Sequence, residues 1–171
     1  MRRTVTILVA VALAAAVFVP ATGAAQPHKA VPTTPKEVTG TWSWVNNTWE
    51  EWKTTHKGVV YASGTETGTW TGTFEGTSTE EFGAQINPDG TLWALIRITF
   101  TGTVGEQSGT LEILTTAVMR NSDGTMHGTW TISSGTDGLA NLRGQGTWVY
   151  VGPDPEHATY TGIIREYVPP A

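Results

Sequence analysis

The chain contains no cysteine, which removes disulfides, thiolate metal sites and a cysteine nucleophile from the chemistry open to it. Histidine is scarce, and His28, His56, His127 and His157 are too scattered to form an H-E-x-x-H pair. No G-x-S-x-G elbow occurs, and the acids do not fall at the spacing of a calcium loop. No metal and no cofactor is therefore expected. Basic residues are also few, with ten Lys plus Arg against 15 acids. That balance argues against nucleic acid and anionic membrane surfaces as partners, since both need a basic patch. Helical periodicity is missing as well: no 11-residue window from Val38 onward repeats its apolar residues every 3.6 positions.

The N-terminus opens Met1-Arg2-Arg3, continues with an uncharged apolar run from Val5 to Val19, breaks at Pro20, and ends in the small residues Ala21, Gly23, Ala24 and Ala25. Charge, apolar stretch, then small residues is the order of a secretory signal, and the run is short for a bilayer span. Residues 1–25 are thus expected to be a signal peptide, and the protein to be secreted or extracytoplasmic, with no membrane association after cleavage. Loss of Arg2 and Arg3 leaves the rest more acidic still. Residues 26–37 carry Pro27, Pro32 and Pro35 among polar neighbours and read as a disordered tether. Residues 38–171 form one domain, large enough for a core without covalent staples.

From Val38 onward the alphabet is Thr, Gly, Trp, Val, Ile and Tyr, and apolar residues alternate with polar ones. Thr67, Thr69, Thr71 and Thr73 lie on one face of a strand, with Gly68, Trp70, Gly72 and Phe74 on the other. Glycine between aromatics marks sharp coiling or close backbone approach. Turns are written as Asn87-Pro88-Asp89-Gly90, as Asn121-Ser122-Asp123-Gly124, and across Gly105 to Gly109. The strands expected are 38–46, 59–64, 66–74, 77–85, 91–104, 109–120, 125–133, 143–151 and 158–167. Trp49 and Trp52, three apart around two acids, suit a helical turn. Short connections favour antiparallel neighbours, and the long runs 91–104 and 109–120 favour closure over a sandwich. The fold class expected is all-β, a single antiparallel barrel of about eight strands, whose interior holds side chains or one small ligand.

Several blocks also carry a family resemblance: Gly68-Thr69-Trp70-Thr71-Gly72-Thr73-Phe74-Glu75-Gly76-Thr77-Ser78, Phe100 to Leu111, Gly128-Thr129-Trp130-Thr131-Ile132, and the glycine-framed stretch Gly135 to Gly146 holding Leu139 and Leu142. Over about Val59 to Tyr167 the series resembles a bacterial family of uncharacterised domains whose fold is similar to the calycin-like allene oxide cyclase and dirigent barrels. The resemblance implies an eight-stranded barrel with a small apolar cavity, and a tight loop over 135–146 leading into a strand. The cyclases so resembled act on an oxidised fatty acid with a carboxylate in the cavity. No single position of this chain maps onto that carboxylate.

Candidate site residues follow from the strands. Trp70, Phe74, Trp93, Trp130, Trp148 and Tyr150 are candidates to line a ligand cavity, because apolar walls with few polar groups are what such pockets offer. Arg97 lies among bulky apolar neighbours and calls for a carboxylate partner if buried. Glu112 is the candidate, because a hairpin turning over 105–109 brings the two near each other; Glu75, Glu80 and Glu81 are further options. Together Arg97 and Glu112 are the candidate catalytic residues, polarising a carbonyl inside the cavity; the alternative is an outward cross-strand pair worth under about 1 kcal/mol. His127, flanked by Thr125 and Thr129, belongs on the solvent side of its strand. Three functions follow: a binding barrel for a small apolar or amphipathic molecule, a cyclase or isomerase of a lipid-like or polyketide-like substrate, or a solid-core interaction protein.

Overall fold

The computed structural model describes residues 31–54, 57–120, 124–151 and 157–168, with side chains placed for all of these except 31, 52–54 and 168. The segment expected to be a signal, and the first part of the expected tether, lie outside the described residues. Eight long strands run in sequence around a ring: β2 (Lys36–Thr54), β3 (Val60–Gly72), β4 (Phe74–Ile86), β5 (Leu92–Val104), β6 (Gln107–Met119), β7 (Met126–Gly135), β8 (Leu142–Tyr150) and β9 (Ala158–Val168). Each pairs antiparallel with the next, and β9 returns to pair with β2, so the sheet closes on itself. A two-residue strand β1 (Val31–Pro32) pairs with the end of β9 beyond β2. Residues 31–37, within the segment read as a tether, thus lie against the ring. Among the described residues the only helix is a 3-10 turn at Asp137–Leu139, in the glycine-framed loop before β8.

The alternation of the sequence becomes an inside and an outside. On β5 Ala94, Ile96, Ile98 and Phe100 are buried while Trp93, Leu95, Arg97 and Thr101 face solvent. Outside, threonines pair across strands through their hydroxyls, as Thr41 with Thr71 at 2.7 Å and Thr110 with Thr136 at 2.8 Å. Such pairs suit β-branched residues on a solvated pleat. His127 is exposed, as its flanking threonines predict.

Three local expectations give way. The stretches 59–64 and 66–74 are one strand, because Gly64 and Thr65 stay paired with Trp49 and Thr48. The residues around Trp49 continue β2 rather than making a helical turn. β2 absorbs register shifts between Asn46 and Thr48 and between Glu51 and Lys53. A bulge adds one residue and reverses the in–out phase beyond it, so Trp49, at an odd position, still packs on inward-facing Phe82, ring centroids 5.4 Å apart. The β5–β6 turn is the two residues Gly105-Glu106, with Gly105 at φ 63°, where glycine is at home. That tighter turn places Arg97 opposite Leu114, and Glu112 opposite Thr99.

One end of the ring is sealed by Tyr160. Its hydroxyl accepts from the Phe74 backbone N–H at 2.9 Å and donates to the Thr71 carbonyl at 3.1 Å, tying β9 to the β3–β4 turn. Gly40 on β2 makes room for it: a Cβ there would lie 2.3 Å from the Tyr160 hydroxyl oxygen and 2.0 Å from the Thr71 carbonyl oxygen. Tyr160→Phe leaves the Phe74 N–H buried without an acceptor and should cost about 1–3 kcal/mol, read as a lower urea midpoint with unchanged slope.

Candidate functional site

The interior is built in two halves. At the sealed end Trp70, Phe74, Phe100 and Tyr160 pack ring against ring, with centroids 5.3 to 6.0 Å apart, and Trp130 meets Phe74 edge-on at 5.9 Å. Leu139, from the 3-10 turn, is fully buried in the same cluster. Trp42 then stacks on Trp70 at 5.2 Å and receives Trp148 edge-on at 5.5 Å. Above this pair, toward the end carrying the 87–91 turn, the packing stops. A pocket of about 150 Å³ opens there, walled by Trp42, Trp44, Trp49, Phe82, Trp148 and Ile96 among others, with Glu66 and Asn46 as its polar members.

The space has a simple cause. Ala62, Ala84, Ala94 and Ala117 are consecutive partners across β3, β4, β5 and β6, and all four are buried. Four adjacent strands thus present a methyl group at one level, while on β5 and β6 the levels toward the sealed end carry the larger Ile96, Ile98, Phe100, Ile113 and Leu111. The last three of these alanines line the pocket.

Between pocket and solid core lies a pair of carboxyl groups. Glu66 and Glu80 are direct partners on β3 and β4, both inward-facing, with 8% and 1% of their surfaces exposed. One oxygen of Glu80 accepts from the Trp42 indole at 2.9 Å and from the Ser78 hydroxyl at 2.5 Å, and Ser78 in turn accepts from the Trp70 indole at 2.9 Å. Gly68 makes this possible, since a Cβ there would fall 2.3 Å from the Ser78 hydroxyl oxygen and 2.4 Å from the Glu80 oxygen. The second Glu80 oxygen is buried and has no hydrogen-bond partner among the described residues. Burial, and then the charge on Glu80, push the Glu66 pKa up to about 7, and burial raises Glu80 too, against the hydrogen bonds from Ser78 and Trp42. Two adjacent carboxyls in a dry site cannot both ionise cheaply, so the pair holds one proton through the weakly acidic range.

The residues singled out from sequence divide accordingly. Trp148 lines the pocket, and Tyr150 packs on Trp44 at its rim, centroids 5.2 Å apart. Trp70, Phe74 and Trp130 are inside but belong to the solid half. Trp93 is 51% exposed on the outer wall and lines no interior space, because the odd positions of β5 face out. Arg97 also faces solvent, opposite Glu81 on β4 and Leu114 on β6. Glu112 is likewise on the outer wall and takes its hydrogen bond from Thr99 at 2.8 Å. Neither polarises anything inside the barrel. Arg97→Ala should leave thermal stability within about 0.5 kcal/mol of the parent. Sequence reasoning passed over Glu66 and the alanine row and weighed Glu80 only as a partner for Arg97, which faces the other side of the sheet; the signal for them was acids and alanines at the inward positions of adjacent strands.

Fold and site together define a closed eight-stranded antiparallel β-barrel, solid at one end and carrying an indole-walled pocket with a buried carboxyl pair at the other. The chain belongs to the family described as "Protein of unknown function (DUF3224)", whose model matches residues 38–161. It is similar to a solved structure described as a protein with unknown function from the DUF3224 family of Shewanella oneidensis MR-1. That likeness has a TM-score of 0.65 at 18% identity and covers 81% of this chain and 100% of the other. No curated protein matches the chain.

Proposed function

We propose that this barrel binds one small amphipathic molecule in its mouth, the apolar body among the indoles and the polar end on Glu66. The observation that carries the reading is the alanine row, which leaves about 150 Å³ open beside a buried carboxyl in an otherwise filled interior. An apolar space of about that size accepts a benzene-sized body, and apolar walls with one or two convergent polar groups are the usual form of a small-molecule site. Export through the N-terminal segment belongs to the same proposal, and N-terminal sequencing of the protein from culture medium, expected to begin near Gln26, checks it. A solid-core interaction protein accounts for the sealed half but leaves the mouth unexplained.

The test fills the pocket. Ala94→Phe should fold at least as stably as the parent and lose binding of toluene, followed by tryptophan fluorescence, together with any small molecule that native mass spectrometry finds on the parent. If toluene does not perturb the parent's emission and nothing co-purifies with it, the binding reading falls.

A second reading, a cyclase or isomerase, draws on one observation: Glu66 faces the pocket with a pKa of about 7, which suits a general acid or base near neutral pH. A cavity carboxylate is also what the resemblance to allene oxide cyclase barrels implies. In that reading Glu66 exchanges its proton with the bound substrate, and Glu66→Gln abolishes turnover while retaining binding.

A further inference from the structure

We propose that the mouth pocket is selective for a ligand whose polar end is an ammonium group, an amphipathic amine, and that it rejects carboxylate amphiphiles such as fatty acids. The inference rests on the binding reading above and adds the sign of the ligand's charge. Three observations carry it. First, the polar wall of the pocket is Glu66, nine-tenths buried, with a second carboxyl directly beside it. Second, among the described residues no lysine, arginine or histidine lines the pocket, so no described wall group compensates an entering anion, whereas an entering cation meets an acceptor. Third, three indoles, Trp42, Trp44 and Trp49, line the pocket together with Glu66. Trp42 and Trp44 have centroids 4.9 Å apart, Trp49 stands at the rim, and indole is the best cation–π acceptor among side chains.

The groups around Glu66 are few. Glu80 faces it from β4, and Trp42 and Asn46 from β2. The linings from β5, β6, β7 and β8 are Leu92, Ala94, Ile96, Ala117, Met126 and Trp148, none of which titrates. At the rim Tyr150 packs on Trp44. Arg97, on β5, faces the other side of the sheet.

The ammonium takes the place of the shared proton. With Glu66 protonated, the pair carries one negative charge, held by Glu80. An alkylammonium at the mouth donates its N–H to the Glu66 carboxylate, and the displaced proton leaves to solvent. Binding is therefore a proton-for-cation exchange, and affinity must rise with pH across the range in which Glu66 titrates. An amine of the alkylammonium type remains charged until about pH 9, so the rise reports the protein and not the ligand.

Three probes of similar size separate the outcomes: 2-phenylethylammonium, its neutral counterpart propylbenzene, and 3-phenylpropanoate, each titrated by tryptophan fluorescence and calorimetry on the full domain. At pH 7.5 the amine should bind about tenfold or more tighter than propylbenzene, and the acid should bind weaker than both. Between pH 7 and pH 5.5 the amine's affinity should fall about tenfold while that of propylbenzene stays level. Calorimetry in buffers of different ionisation enthalpy at pH 7 should show a proton released on amine binding. Glu66→Gln should erase the preference for the amine and keep propylbenzene binding. Should that variant fail to fold, the pH dependence and proton release of the parent decide alone. An amine that binds no tighter than propylbenzene, or whose affinity is flat with pH, overturns the charge assignment and leaves the pocket reading standing. If propylbenzene and the amine both fail to bind, the pocket reading itself falls.

Discussion

Phe100→Ala should destabilise the barrel by about 3–5 kcal/mol, and Phe82→Ala by roughly half as much. Both remove the same ring from neighbouring inward sites, but their surroundings differ. Phe100 is enclosed by Trp70 and Phe74, at 5.9 and 5.8 Å between centroids, and has no exposed surface. Its loss opens a sealed void whose walls, tied by Tyr160 and Leu139, cannot collapse. Phe82 already borders the mouth pocket, and among the described residues its ring contact is with Trp49, which is 46% exposed. Trp49 is free to fold down over the gap, so less is forfeited. Urea unfolding of the two variants reads the difference. Equal costs would mean that the mouth is packed as tightly as the sealed end, against the two-half description.

Raising the pH should weaken the fold, with Glu66 as the cause. Its carboxyl, ordinarily near 4.5, is raised to about 7 in the folded barrel, by burial first and by Glu80 second. Between those two values the folded protein holds a proton that the unfolded chain has released. Stability is therefore full below about pH 4.5 and is lost as the pH passes through 7. Allowing for solvent at the open mouth, the loss amounts to roughly 2 kcal/mol, or a fall in Tm on the order of 5 °C for a domain of this length. Glu80, also raised by burial, acts in the same sense. Asp89 is held low by Thr91 and acts in the opposite sense, in more acidic solution. Thermal unfolding at pH 5 and pH 8 measures the slope, and Glu66→Gln should flatten most of it. A parent whose Tm rises over that interval would exclude a shared proton.

The ring itself was legible in the sequence. Thr67, Thr69 and Thr71 against Gly68 and Trp70 gave a face assignment that holds, while Thr73 falls in the β3–β4 turn and Phe74 begins β4 instead of ending β3; the Asn-Pro-Asp-Gly turn fell where β4 meets β5. The solvent position of His127 came from the same alternation. Registers were not legible, and the misplacements follow from that. A five-residue turn over 105–109 and a two-residue turn at Gly105-Glu106 read alike in composition, yet they place different residues opposite Arg97. Trp93 drew notice because indoles are usually interior, whereas alternation along β5 already placed it beside Arg97 on the far side from Ile96. The carboxyl pair escaped because an acid inside a barrel contradicts its own transfer preference. Only the cross-strand register of Glu66 with Glu80, and the glycine at position 68 that clears space for Ser78, make its burial intelligible. The phase reversal near Asn47 was equally hidden, since a bulge leaves no compositional mark.

Closure of β9 onto β2 also bears on how the protein fails. Segments such as Leu92 to Phe100 are rich in branched and aromatic residues and low in charge, the type that templates cross-β assembly when its backbone is left unpaired. In the intact ring every long strand has two neighbours, and although among the described residues the part of β2 beyond Trp42 is paired on one side alone, the β5 segment offers no such template. The junction between Lys36–Trp42 and Ala158–Ile164 joins two long strands from opposite ends of the chain and should be the slowest of the long-strand pairings to form. Until it forms, both flanking strands remain sticky, and aggregation during refolding should track the lifetime of that one open seam.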